Sequence, residues 1–162
     1  MTDVKPIPDG YPRVSPSLAI DGASAAIDFY TKVLGVTEQV RIPAPGGTVA
    51  FARLQIGDSL INVSEASPER GYPGPKTIGG TPVTLNIYVE DADATFERAV
   101  AAGARPLKPV ENQFYGDRTG EITDPFGYRW YLSTHVEDVP DDELRRRAAE
   151  REKARAAERP RS

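Results

Sequence analysis

The chain has 162 residues, 39% of them hydrophobic and 27% charged, with a net charge of −4 and no cysteine. That length holds one core or two small fused halves, and the composition is ordinary for a soluble globular protein. The acidic balance argues against a nucleic-acid partner, no apolar run approaches the roughly 18 residues of a membrane span, and no thiol chemistry is available, so a cytoplasmic protein is expected.

Residues 1–13 are rich in proline and polar groups and read as an extended arm. "PSLAI" then alternates as a strand, and "DGASAAIDFYTKVLG" reads as a helix with Ala23, Ala26, Ile27, Tyr30 and Leu34 at helical spacing and Gly35 as its cap. After the turn "PAPGG", the runs "TVAFARLQI" and "SLINVS" predict two strands joined at "GD". Residues 66–80 form a linker rich in glycine and proline. The order then restarts, with a strand in "VTLNIYV" and a helix in "DADATFERAVAAG" that begins at Asp91 or Asp93. Phe96 and Val100 are expected on the buried side of that helix. A short extended piece "RPLKPV", a loop "NQFYGDRTG" and a hairpin around "DPFG" follow. Residues 140–162 favour helix but carry little to bury, so they read as a charged, solvated appendage.

The two halves superpose as sequences. "LAIDGASAAIDFY" falls on "IYVEDADATFERA", placing Ile20 on Val89 and Ala23 on Ala92, and "IGDSLINVS" falls on "FGYRWYLS", placing Gly57 on Gly127. Each half therefore reads strand–helix–strand–strand–strand. The expected class is α+β: two tandem βαβββ modules followed by the charged helix. Module one spans 14–65, module two 81–139, and the two make a single domain over 14–139.

This order, together with "AIDFYTKVLG", "IGDSL", "YVEDADATFERAVAAGA" and "QFYGDRTGEITDPFGYRW", resembles the vicinal oxygen chelate superfamily, in its glyoxalase-related bacterial branch. Glyoxalase I, bleomycin-resistance proteins, fosfomycin-resistance proteins and extradiol dioxygenases belong to that superfamily, and the resemblance implies curved mixed sheets enclosing a cavity. The resemblance implies metal ligands on the first and last strands of each module, at Ser15, Ile61, Thr84 and Tyr131. Hydroxyls are weak donors to divalent metals and Ile61 cannot bind one, so no metal and no other cofactor is expected. His135, the single histidine, lies four residues beyond Tyr131, roughly 13 Å along a strand at about 3.3 Å per residue. It reads as a strand end hydrogen-bonded near Glu137 or Asp138, with a ligand contact or proton transfer as the other readings.

Strand alternation sorts the rest. Leu18, Ile20, Leu54, Ile87, Trp130 and Leu132 are expected toward the helices. Ile61 and Val63 are expected in the cavity. So are Phe51, Arg53, Thr84, Asn86, Tyr88, Glu121, Tyr131 and His135, with Phe114, Tyr115 and Arg118 on a loop at the entrance. Arg53 and Glu121 could pair with each other. Aromatic walls with a few polar groups suit a planar or amphiphilic small molecule. The favoured function is metal-free binding and sequestration of such a ligand by a homodimer. The alternatives are a lyase or isomerase acting on a small carbonyl substrate, with Glu121 as base and Tyr131 or His135 as acid, and an interaction module working through residues 140–162.

Overall fold

A computed structural model describes residues 4–158. The ends of the expected arm and charged helix, residues 1–3 and 159–162, lie outside the described residues. Module one runs β1 (Ser17–Ile20), α1 (Ala23–Leu34), β2 (Thr37–Pro43), β3 (Val49–Ile56) and β4 (Ser59–Glu65). A one-turn helix α2 (Pro75–Ile78) lies in the linker. Module two repeats the order with β5 (Thr84–Tyr88), α3 (Ala92–Ala101), β6 (Arg105–Asn112), β7 (Asp117–Thr123) and β8 (Arg129–His135). The helix α4 (Asp141–Glu158) follows. The sheets are ordered β1-β4-β3-β2 and β5-β8-β7-β6, with one parallel pair in each, β1 with β4 and β5 with β8. The α+β class and the duplicated module are therefore present in the fold.

Local chemistry sets the helix ends. Helix α1 has an apolar stripe of Ala23, Ala26, Ile27, Tyr30 and Val33, and it stops at Gly35, whose φ of 67° lets its N–H return to Thr31 and Tyr30 carbonyls. Its N-terminus is capped from a distance: the Glu65 carboxylate accepts the N–H of Gly22 at 2.8 Å and of Ala23 at 3.1 Å. Helix α3 is capped by Asp91, which accepts from the N–H of Ala94 at 2.9 Å. Its buried side is Ala92, Thr95 and Ala99, with Phe96 partly buried. Val100 is exposed, contrary to the expectation from spacing; the small residues Ala92, Thr95 and Ala99 take the side toward the sheet.

Each sheet has one face under its helix and one face open. The modules meet on the helix side, where α1 touches α3. There Tyr128 donates to the carbonyl of Ala19 at 2.9 Å, and Arg98 donates to that of Val33 at 3.1 Å. Buried Asp124 in "DPFG" accepts from Tyr30 Oη at 2.6 Å and from Trp130 Nε1 at 2.9 Å. Trp130 is thus locked beneath α1, and its neighbour Tyr131 points to the open face.

The register of β4 departs from expectation. Ile61 pairs with Leu54 and Val63 with Ala52, and all four are buried on the helix side. Ile61 and Val63 are therefore core, and the open face of β4 carries Leu60, Asn62 and Ser64. The cause is turn length. Ile56 pairs with Ser59 around a two-residue turn, whereas Thr123 pairs with Arg129 around five. Parallel pairing shows the consequence, since Ser17 faces Asn62 in the first sheet and Asn86 faces Tyr131 in the second. The counterpart of Tyr131 is Asn62, one residue beyond Ile61.

Candidate functional site

Three cavities bear on the expected site residues, two on the open faces and one at the seam between the modules. The first, about 680 Å³, lies at one end of the first sheet, with Phe51, Ser17 and Ser64 as floor and Tyr72, Glu69 and Arg70 at its rim. The second, about 450 Å³, lies on the second sheet, between Tyr131, Glu121 and Lys108 on one side and Phe114, Tyr115 and α4 on the other. The third, about 420 Å³, is formed where the β3–β4 turn of module one approaches Asn86 and Tyr88 of β5.

The expected site residues are distributed among these. Phe51 lines the first cavity, Phe114, Tyr115, Glu121 and Tyr131 the second, and Asn86 and Tyr88 the third. Arg53, Thr84, Arg118 and His135 line none of the three. Arg53 does not reach Glu121; it donates to Tyr11 Oη and stacks 4.7 Å from that ring and 5.4 Å from Phe51, so the N-terminal arm lies on the first open face. Thr84 opens β5 opposite Arg129.

Arg118 and the loop around it need correction. The expected loop ends at Gly116, and Arg118 is already in β7, on the helix side. Its guanidinium is held by Asp93 at 2.5 and 2.7 Å and by Asn112 at 3.1 Å.

Glu121 is the most constrained carboxylate on an open face. Its side chain is fully shielded, with Lys108 Nζ 2.8 Å from one oxygen and Arg129 on the other. Both cations are themselves substantially exposed, so the carboxylate is covered by side chains instead of by depth in the fold. Burial works to raise its pKa, and the paired cations Lys108 and Arg129 outweigh that and hold it below the usual carboxylate range. Lys108 also donates to Tyr131 Oη at 3.2 Å.

His135 ends β8, as its place in the alternation predicts. Its Nδ1 is 2.8 Å from Asp117 and its Nε2 2.9 Å from Asp138. Buried Asp117 also accepts from Tyr88 Oη at 2.6 Å. Sequence reasoning missed this chain of contacts, because Asp117 fell within the expected loop "NQFYGDRTG". It missed Lys108 and Arg129 as partners of Glu121, and Tyr72 as a cavity wall. Glu121 lies directly across from both Lys108 and Tyr131 in the sheet, so a strand-pairing argument could have found Lys108.

A family model described as the glyoxalase/bleomycin resistance protein/dioxygenase superfamily matches residues 14–132. The chain belongs to that superfamily. An uncharacterised protein of Mycobacterium bovis is 40% identical over 136 residues, which cover 82% of this chain and 90% of that one. The superfamily fold is shared with the X-ray structure of a gene product from Arabidopsis thaliana, at a TM-score of 0.62 and 26% identity, covering 76% of this chain and 98% of that one. It is shared too with TnmS3, an antibiotic binding protein from Streptomyces sp. CB03234, at a TM-score of 0.56 and 19% identity, covering 78% of this chain and 100% of that one.

The superfamily's metal chemistry can be tested against the donors present. With the register corrected, the four ligand positions are Ser15, Asn62, Thr84 and Tyr131. All four are neutral, and the hydroxyl of Tyr131 already accepts from a lysine ammonium, which a divalent cation would have to displace. The Asn62 carbonyl oxygen has no hydrogen-bond partner, but it offers a single amide donor. Among the described residues no three His, Asp or Glu side chains cluster to hold an ion. The donor set does not fit a transition metal. No helix among the described residues is long and apolar enough to cross a membrane.

Proposed function

We propose that the chain binds a planar, largely apolar small molecule without the help of a metal, on the open faces of its sheets, and that it does so as a cytoplasmic homodimer. The observation that carries this reading is the exchange at the four metal positions. Where the superfamily's metal enzymes place ligands, this chain has three hydroxyls and an amide, and the cavities on the open faces are walled by Phe51, Tyr72, Phe114, Tyr115 and Tyr131. Aromatic walls with a few orienting polar groups bind flat ligands by stacking and area burial. That TnmS3, an antibiotic binding protein, is built on the same fold supports a sequestering role. Phe51, Asn86, Tyr88, Tyr115 and Tyr131 are the proposed ligand contacts. Exposed apolar side chains on and beside the open faces, among them Val14, Tyr72, Val83 and Tyr88, support a second copy covering them.

An acid–base enzyme has less support. A general base must exchange its proton near neutrality, and Glu121 is held ionised by two cations. His135 is committed to two carboxylates.

Elemental analysis of the purified protein after exhaustive dialysis is the test. The expected result is transition metal far below one atom per chain. One retained Ni, Zn, Fe or Mn per chain would overturn the reading.

A further inference from the structure

Helix α4 lies beyond the family match, which ends at residue 132, and it buries no side chain fully. It is nonetheless tied to module two. Arg147 reaches back to both oxygens of Glu137 at 2.9 and 2.7 Å and to the carbonyl of Phe114 at 3.3 Å. Arg151 donates to Gln113 at 3.4 Å, and its guanidinium stands 5.3 Å from the centre of the Phe114 ring. These contacts hold one side of α4 along the open face of the second sheet, so that Ala148, Arg151 and Arg155 form a wall of the 450 Å³ cavity.

The charges in that cavity are not equivalent. Glu121 is neutralised by Lys108 and Arg129, and Glu152 pairs with Arg155 at 3.3 Å. Arg151 has no carboxylate partner among the described residues. Its guanidinium is stacked on an aromatic ring with donors free, across a cavity whose far side is Tyr131. Glu111 at the rim repels anions; Lys108, Arg129, Arg151 and Arg155 together stand against Glu111, Glu121 and Glu152, so one positive charge is left over in and around the site.

We propose that α4 completes a binding site for an aromatic anion, a flat ring carrying a carboxylate or sulfonate, in which Arg151 takes the anionic group and Phe114 and Tyr131 take the ring. A guanidinium held in place by stacking loses little freedom on binding and presents paired donors that match such a group. This site rests on the reading of the chain as a small-molecule binder, and it adds ligand charge and a role for α4.

The test titrates the full-length protein with two fluorescent probes, anilinonaphthalene sulfonate as the aromatic anion and phenylnaphthylamine as its neutral counterpart. Arg151→Gln should weaken saturable sulfonate binding about tenfold, as loss of one charge-assisted contact does, and leave the amine within about twofold. Arg146→Gln removes a charge from the same helix, where Arg146 pairs with Glu143 and Glu150 and with no other carboxylate among the described residues, and should change neither probe. Equal losses in the two variants would reduce the effect to diffuse attraction and overturn the site. Sulfonate binding that survives Arg151→Gln but falls in Tyr72→Ala would also overturn it, and would place binding on the first sheet with the broader reading intact. Absence of saturable binding by either probe would count against both.

Discussion

Asp124 collects four donors: Tyr30 Oη at 2.6 Å, Trp130 Nε1 at 2.9 Å, and the backbone N–H groups of Phe126 and Tyr128, each at 2.9 Å. It joins α1 to the β7–β8 turn and thereby fixes which of Trp130 and Tyr131 is buried. Burial raises its pKa despite those donors. Asp124→Ala would leave a buried hydroxyl and indole N–H without an acceptor, and should cost about 3–5 kcal/mol in urea denaturation. A loss below about 1 kcal/mol would remove Asp124 from this role. His135 allows a second test at the same scale. Asp138 and then Asp117 raise its imidazole above the ordinary value. The protonated ring therefore adds stability that is complete below about pH 6.5 and is lost as pH rises through the raised folded value. His135→Gln should flatten that part of the melting-temperature profile, and a wild-type profile that rises across it would contradict the ion pairs. The place of His135 and the facing of Trp130 and Tyr131 were legible from alternation. The partners of Asp117 and Glu121 were not, because they come from strand neighbours far away in sequence.

Among the elements, helices and hairpins with strong periodicity were readable, and those without burial contrast were not. Every residue of β2 is exposed, and with only Val40 and Ile42 apolar before its closing proline that strand was legible through the repeat and not through a run of its own. The slip of one residue in β4 came from matching Gly57 to Gly127 across turns of unequal length, a difference that resides in backbone pairing and not in the letters. The charged helix was legible as a helix, whereas its docking through Arg147 and Arg151 was not, since those contacts use arginines and a carbonyl instead of an apolar stripe. Gly120 on β7 reports how closely α3 sits on its sheet. A Cβ there would stand 2.9 Å from the Phe96 ring and 2.7 Å from Val110. Gly120→Ala should therefore push α3 outward and cost about 1–3 kcal/mol, as overpacking does. An unchanged denaturation midpoint would mean that α3 packs more loosely than described.

At the scale of the molecule, the helix sides of the two modules are joined into one core, and the open faces are turned outward with the arm residue Tyr11 on one and α4 on the other. The duplication and the superfamily fold were legible in the sequence. The distribution of site residues over separate cavities was not, because alternation says which face a side chain takes and not how two sheets are set against each other. Open faces with exposed Tyr72, Val83 and Tyr88 lead to an expected dimer mass in light scattering at tens of micromolar, and a monomer mass would contradict it. The claim that matters most is binding without a metal. It is tested most directly by melting the protein in EDTA against a panel of planar aromatic compounds, since a ligand that binds the folded state alone raises the melting temperature. At least one compound should give a shift that persists in EDTA and is lost on replacing Tyr131 or Phe51 with alanine. Shifts that appear only when a divalent metal is restored would contradict it.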